Sequence, residues 1–262
     1  MTKKWFNTKL PNSIYNKEWK AKAKKQRMEI FRFLNSLDFV NRKFTSGSFG
    51  RKTNLPTSDI DIFVEIKKYY FQEDIHEAQE KLYGELQRKW PDNSIRPQEH
   101  TIGVVLKDVK FELVPAIQIN EQQYLIPEGE KKIITEPHTV KDNVKKMNGK
   151  TYGMFSHFTR IIKFWKKQHD VPLPSFYLEL LILEEMKNGW RIKSDPLSFA
   201  AFFCEIVQKV KARKYPELFS GKLSSKNKDV SNLNRILDTS MDLLKDYKEQ
   251  KKNKLLKQFF AF

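Results

Sequence analysis

The sequence predicts an α+β protein, with a small domain of mixed strands and helices followed by a domain built of helices alone. Three observations predict it. Asp59-Ile60-Asp61-Ile62-Phe63-Val64-Glu65-Ile66 alternates apolar and polar residues with the two-residue period of a strand. Two short β-rich runs, Ile102–Leu106 and Val109–Val114, are separated only by Lys107-Asp108, the spacing of a hairpin. Beyond Gly153 every apolar pattern repeats at helical intervals.

Along the chain, residues 16–38 read as a first helix, with Ile30, Phe33, Leu34 and Leu37 on one face and a lysine-rich first half. The strand over 59–66 follows, then a helix over 72–90 and the hairpin. Pro115 is expected to end the second hairpin strand, because proline has no N–H to give to a ladder. Asn148-Gly149-Lys150-Thr151-Tyr152-Gly153 is the expected boundary, dividing the chain into 1–150 and 151–262. Four helices are expected after it. The first covers 154–168, with Phe155, Phe158, Ile162 and Trp165 on one face. The second runs from Ser175 to Asn188-Gly189, and the third starts at Asp195-Pro196 with Phe199, Phe203, Ile206 and Val210 inward. The last covers 231–256 with Leu233, Ile236, Leu237, Leu244 and Tyr247.

Composition excludes several classes. The chain has 262 residues, 39% hydrophobic and 31% charged, which suits a folded globular protein. Its longest apolar run, Phe199 to Cys204, falls far short of the about 20 residues of a membrane span. No apolar stretch follows the basic N-terminal residues, so no secretory signal is expected and the expected compartment is the cytoplasm. A single cysteine, Cys204, excludes an internal disulfide and a cysteine-ligated zinc site. The net charge of +17 favours polyanionic partners such as nucleoside triphosphates or nucleic acid. On the first helix Lys17, Lys20, Lys24 and Arg27 share a stripe that could grip a duplex, or simply face solvent.

The chemistry concentrates between Ser46 and Ile62. Gly47-Ser48 opens a turn whose N–H groups and hydroxyl suit a phosphate. Asp59 and Asp61, two apart on a strand, project from one face about 7 Å apart, while Ile60 and Ile62 hold that strand to the core. Carboxylates so placed repel unless a cation lies between them, and oxygen-only ligands select Mg²⁺ or Mn²⁺. Glu112, in Phe111-Glu112-Leu113-Val114-Pro115, is the third carboxylate of a two-metal site if its strand lies beside that of Asp61. Two cations roughly 4 Å apart activate an attacking hydroxyl and stabilise a leaving pyrophosphate. Asp-x-Asp alone is common on the wet face of a sheet. Its conjunction with the Gly-Ser turn and the downstream Glu112 makes it specific.

This pattern resembles the polymerase-β-type nucleotidyltransferases, and within them the oligoadenylate-synthase and cGAS/DncV-like (CD-NTase) branch, including bacterial enzymes of anti-phage signalling. The resemblance implies a mixed sheet with flanking helices followed by a helical domain, with the active cleft between the two domains. It assigns Asp59, Asp61 and Glu112 to binding two Mg²⁺ ions, for which Mn²⁺ can substitute, and to catalysis. Glu112 departs from the Asp of many relatives by one methylene, and Lys52-Thr53 stands where many carry Gly-Thr. Phe158-Thr159-Arg160-Ile161-Ile162-Lys163-Phe164-Trp165 resembles the helix that offers a lysine, here Lys163, to the triphosphate. On a helical wheel Lys163 lies opposite the aromatic stripe and is expected to face outward. Pro174-Ser175-Phe176 resembles the next motif, in which Ser175 contacts phosphate and Phe176 stacks on the base.

The function so implied is metal-dependent joining of nucleoside triphosphates, ATP among them, into a cyclic or short linear oligonucleotide. A separate effector protein reads that product. A nucleic-acid activator on the basic surface is a further expected partner, and a membrane is not. Two alternatives stay open: a terminal RNA nucleotidyltransferase of the CCA- or poly(A)-adding kind, and a catalytically silent nucleic-acid-binding relative. His138 and His157 are expected to be surface or interdomain polar residues, and Ile126–Lys132 a loop.

Overall fold

The computed structural model describes residues 14–56, 58–71, 74–171, 173–190 and 196–212, with single helical positions at Arg235, Asp238, Thr239, Asp242 and Asp246. Those five fall in the helix expected over 231–256, whose apolar residues lie outside the described set. The chain forms two compact units. One is Asn16–Asp142; the other takes the residues from Asn143 onward together with Ile14 and Tyr15.

The first unit is built on a seven-stranded sheet. Helix α1 (Lys17–Asn35) is capped by the Asn16 side chain, which accepts from the Trp19 N–H. Strand β1 (Val40–Thr45), a one-turn helix α2 (Gly47–Gly50) and β2 (Ile60–Ile66) follow. After α3 (Ile75–Lys89) come β3 (Ile95–Pro97), β4 (Ile102–Leu106), β5 (Val109–Gln118), β6 (Tyr124–Glu128) and β7 (Lys131–Thr135). The strand order is β1-β2-β5-β4-β3, with β6 on β5 and β7 on β6. Only β2 and β5 run parallel among the paired strands described.

The predicted hairpin is present. Lys107 and Asp108 both take positive φ (47° and 68°), the backbone that a two-residue hairpin turn demands. Pro115 does not end its strand: β5 runs on to Gln118, with Pro115 opposite Val64. It falls after the last β5 residue paired to β4, Leu113, and before the first paired to β6, Ile117. One side of the strand has no ladder there, which is where a missing N–H costs least. The expected loop over 126–132 is instead the β6–β7 hairpin.

Alternation along β2 divides the first unit into two cores. Ile60, Ile62, Val64 and Ile66 pack with Ala23, Ile30 and Leu34 of α1 and Ile75, Ala78, Leu82 and Leu86 of α3. On the opposite face Phe63 joins Val114, Ala116, Tyr124 and Ile126, with Phe44 and Ile133 against them. That second face is half polar. Glu65, buried, accepts from Asn41 and Arg42, while Arg42 also reaches the Tyr124 hydroxyl at 2.6 Å. His138 lies with its ring 4.5 Å from that of Phe44 and its Nε2 3.4 Å from the Tyr124 hydroxyl. It is therefore packed inside the first unit. Burial, with Lys141 and Arg42 nearby, holds its imidazole below the usual histidine range.

Helix α4 (Pro137–Lys150) crosses the division between the units, which falls at Asp142/Asn143 and not in the turn after Lys150. In the helical unit α5 (Met154–Gln168), α6 (Ser175–Lys187) and α7 (Pro196–Lys211) match the expected helices. Gly153 enters α5 with φ of 84°, a left-handed conformation that glycine adopts without strain. Phe158 packs on Phe199 and Phe202, and Trp165 on Phe203, so the core is aromatic.

Candidate active site

The parallel register of β2 and β5 brings the carboxylates together. Asp61 is the direct partner of Glu112, so their backbones lie about 4.8 Å apart with both side chains on one face. Asp59 immediately precedes β2. On the other flank of Glu112 the paired residue is Gly103, which adds no side chain. Glu112 is held above the usual glutamate range by burial first, then by the charges of Asp61 and Asp59 and a hydrogen bond to Asp61.

The Gly-Ser turn meets the same point. The Ser46 N–H donates to the Asp61 carbonyl at 2.9 Å, tying the start of α2 to β2. Gly47 turns the chain at φ +54°, and a Cβ built there would stand 1.5 Å from Asp61 Oδ2. Two requirements therefore fall on one residue: a left-handed backbone and the absence of a side chain. Thr53, fully buried, closes the turn by donating its N–H and hydroxyl to the Ser48 carbonyl at 2.9 and 3.4 Å. Lys52 takes φ 63° just before it, where a glycine would sit without strain. The first N–H groups of a helical turn have no intrahelical partner, so those at Gly47 and Ser48 suit an anion.

Gly47→Ala is expected to lower turnover by about a hundredfold, since the methyl group must displace the Asp61 carboxylate and small misplacements of reacting groups cost that much. Turnover within twofold of wild type in a folded Gly47→Ala protein would remove Gly47 from the site.

The donor set fits hard divalent cations, being oxygen only. Among the described residues no three His, Cys, Asp or Glu side chains form a ready-made ion cage as they stand. Glu112 instead faces Asp61, and burial together with the like charges beside it makes Glu112 hold a proton more tightly than usual. A divalent cation serves the same electrostatic need, so the pair and the neighbouring Asp59 suit one.

The raised pKa of Glu112 has a measurable sign. The folded protein binds this proton more tightly than the unfolded chain does. Its cation-free stability therefore falls as pH rises from the ordinary glutamate range through the raised value of Glu112. In chelator, melting temperatures measured upward from about pH 4, the ordinary glutamate range, should decline less in Glu112→Gln than in wild type. Parallel declines in the two proteins would mean that Glu112 carries no such linkage.

In the helical unit the expected residues are placed differently from one another. Ser175 is the first residue of α6 and exposed, with Pro174 and not Ser175 at the cap. Phe176 beside it is 38% exposed, unusual for a phenylalanine and fit for stacking. Lys163 does not face outward. It is 5% exposed, and its ammonium donates to Glu179 Oε2 at 2.6 Å from the fully buried side chain of Glu179 on α6. The helical wheel misplaced it because α5 is buried on nearly all sides, so its polar stripe meets another helix. The sequence reading did not single out Glu179, although a carboxylate among Leu178, Leu180 and Leu181 is itself a sign of a buried partner.

A family model described as the Second Messenger Oligonucleotide or Dinucleotide Synthetase (SMODS) domain matches residues 1–148. The chain belongs to this family. It is accordingly a nucleotidyltransferase, an enzyme of the kind that also includes cGAS/DncV-like proteins. No curated protein matches the sequence. Solved structures of similar fold include E. coli MS115-1 CdnC in complex with HORMA-deltaN, at TM-score 0.69 and 19% identity over 99% of this chain and 94% of that one. The STING-associated CdnE c-di-GMP synthase from Capnocytophaga granulosa gives TM-score 0.70 and 17% identity over 88% and 83%. The Vibrio cholerae DncV cyclic AMP-GMP synthase gives TM-score 0.61 and 13% identity over 84% and 68%. The shared fold is the mixed sheet with flanking helices expected from the sequence. Among the described residues no helix is long and apolar enough to cross a membrane.

Proposed function

We propose that this SMODS protein joins nucleoside triphosphates into a cyclic or short linear oligonucleotide messenger, releasing pyrophosphate, in a bacterial anti-phage response. The observation that carries the reading is the Asp61–Glu112 register pair with Gly47 packed against Asp61. Asp59, Asp61 and Glu112 would hold Mg²⁺ or Mn²⁺, which when bound lowers the pKa of an attacking hydroxyl and neutralises a leaving pyrophosphate. Asp61 and Glu112 accept positive charge or a proton on one face of the sheet. The turn at Gly47-Ser48 offers N–H groups and a hydroxyl to phosphate oxygens. Lys163 and Ser175 serve the triphosphate and Phe176 stacks on the base; Lys163 does so with its ammonium oriented by Glu179.

ATP is among the expected substrates, in line with the CdnC structure with ATP. The cytoplasm is the expected compartment. An effector protein would read the product, and the HORMA complex of CdnC favours a protein partner as well. The exposed lysines of α1, Lys17, Lys20 and Lys24, remain candidates for a nucleic-acid activator. Arg27 leaves that stripe, being half-buried.

Purified protein incubated with mixed ribo- and deoxyribonucleoside triphosphates and Mg²⁺, without primer, should yield short oligonucleotides identified by mass. Extension of supplied RNA alone would replace this reading with a terminal transferase. No product under either condition, with nucleic acid still bound, would replace it with a binding role.

A further inference from the structure

We infer that Arg27 of α1 is a positioning residue that braces the Gly47-Ser48 turn against the carboxylate site. The inference rests on the nucleotidyl-transfer reading of that site. Arg27 Nη1 donates to Thr45 Oγ1 at 3.2 Å, two residues before Gly47. Its guanidinium carbon lies 5.9 Å from the ring centre of Phe49, one residue after Ser48, and 5.5 Å from that of Phe31. Trp19, also on α1, packs its ring edge-on to Phe49 at 6.1 Å. Both ends of Thr45-Ser46-Gly47-Ser48-Phe49 are thus gripped from one helix. Between those ends lie the Ser46 N–H bonded to the Asp61 carbonyl and the Gly47 backbone lying against the Asp61 carboxylate. A shift of Phe49 or Thr45 therefore moves the phosphate-facing turn and the carboxylate together.

Stability alone does not account for an arginine here. Its Nε is buried with no hydrogen-bond partner, a loss that an unbranched apolar side chain would avoid while packing on the same rings. The guanidinium is retained at a cost to the fold. What it adds is a directional bond to Thr45 and a cation over Phe49, both of which set the pose of the turn.

The test is a double-substitution cycle read by steady-state kinetics and thermal melting, using Arg27→Met, Arg27→Lys, Thr45→Val and the Arg27→Met/Thr45→Val pair. Arg27→Met should raise KM for ATP about tenfold, the scale of one charge-assisted hydrogen bond, with the melting temperature unchanged or higher. Arg27→Lys should recover most of that loss. Thr45→Val should raise KM in the same direction, and the pair should be no worse than Arg27→Met alone. An unchanged KM in Arg27→Met, additive effects in the pair, or a fall in melting temperature that fully accounts for the loss would each overturn the inference. Asp61→Asn run alongside separates the two levels. If it is inactive while Arg27→Met is normal, only the brace fails; if it stays active, the reading of the site fails first.

Discussion

Asp61→Asn is expected to abolish primer-independent nucleotidyl transfer, lowering turnover by about a thousandfold or more, with the folded structure retained. The magnitude follows from the several kcal/mol of transition-state charge stabilisation that a divalent site supplies, at about 1.4 kcal/mol per decade of rate. Asp61 is tied to the rest of the first unit at three points. Its strand partner is Glu112, its carbonyl receives the Ser46 N–H, and its carboxylate fills the space where Gly47 lacks a side chain. Asparagine keeps the size and the strand register but removes one of the charges facing Glu112. The same change should therefore bring Glu112 closer to the ordinary glutamate range, since Asp61 ranks just after burial among the causes of its shift. Turnover and the titration of Glu112 are separate readouts. Near-wild-type turnover would sink the catalytic assignment even if the titration moved as expected. Asp59→Asn should lose turnover to a similar degree, with a smaller effect on Glu112 because Asp59 ranks below Asp61.

Much of this site was legible in the sequence because its signals are local. Alternation over 59–66 placed Asp61 and Ile62 on opposite faces, and the structure puts Ile60 and Ile62 in the helix-packed core as expected. The pairing of Asp61 with Glu112 was conditional in the sequence, since nothing local says which strands are neighbours. The strands that escaped notice lack clean alternation. In β1 an irregular register between Val40 and Arg42 breaks the period, β7 is mostly exposed, and β6 contains Pro127. Helix α4 buries only Val144 and Met147, too few apolar residues to announce it. Arg27 and Lys163 were misplaced for a common reason. A helical wheel gives the direction of a side chain from its own helix, but not what a second element presents there. For Arg27 that element is the turn at Thr45–Phe49, and for Lys163 it is α6.

Glu179→Ala is expected to be the most damaging single change in the helical unit, costing about 3–5 kcal/mol of stability. The reason lies in asymmetry. With both charges present, desolvation of a 5% exposed ammonium and a fully buried carboxylate is offset by their contact at 2.6 Å. Truncating the carboxylate removes the contact that offsets the desolvation of the buried Lys163 ammonium. Urea denaturation should show a lower midpoint with an unchanged slope. The paired change Lys163→Met/Glu179→Leu should recover most of the stability, because well-packed apolar residues commonly replace a buried ion pair without loss. That double variant then separates two roles that the ion pair combines. If Lys163 serves the triphosphate, the protein will be stable but its KM for ATP will stay raised. If turnover and KM return with stability, the pair is part of the helical core alone, and the phosphate contact must come from elsewhere.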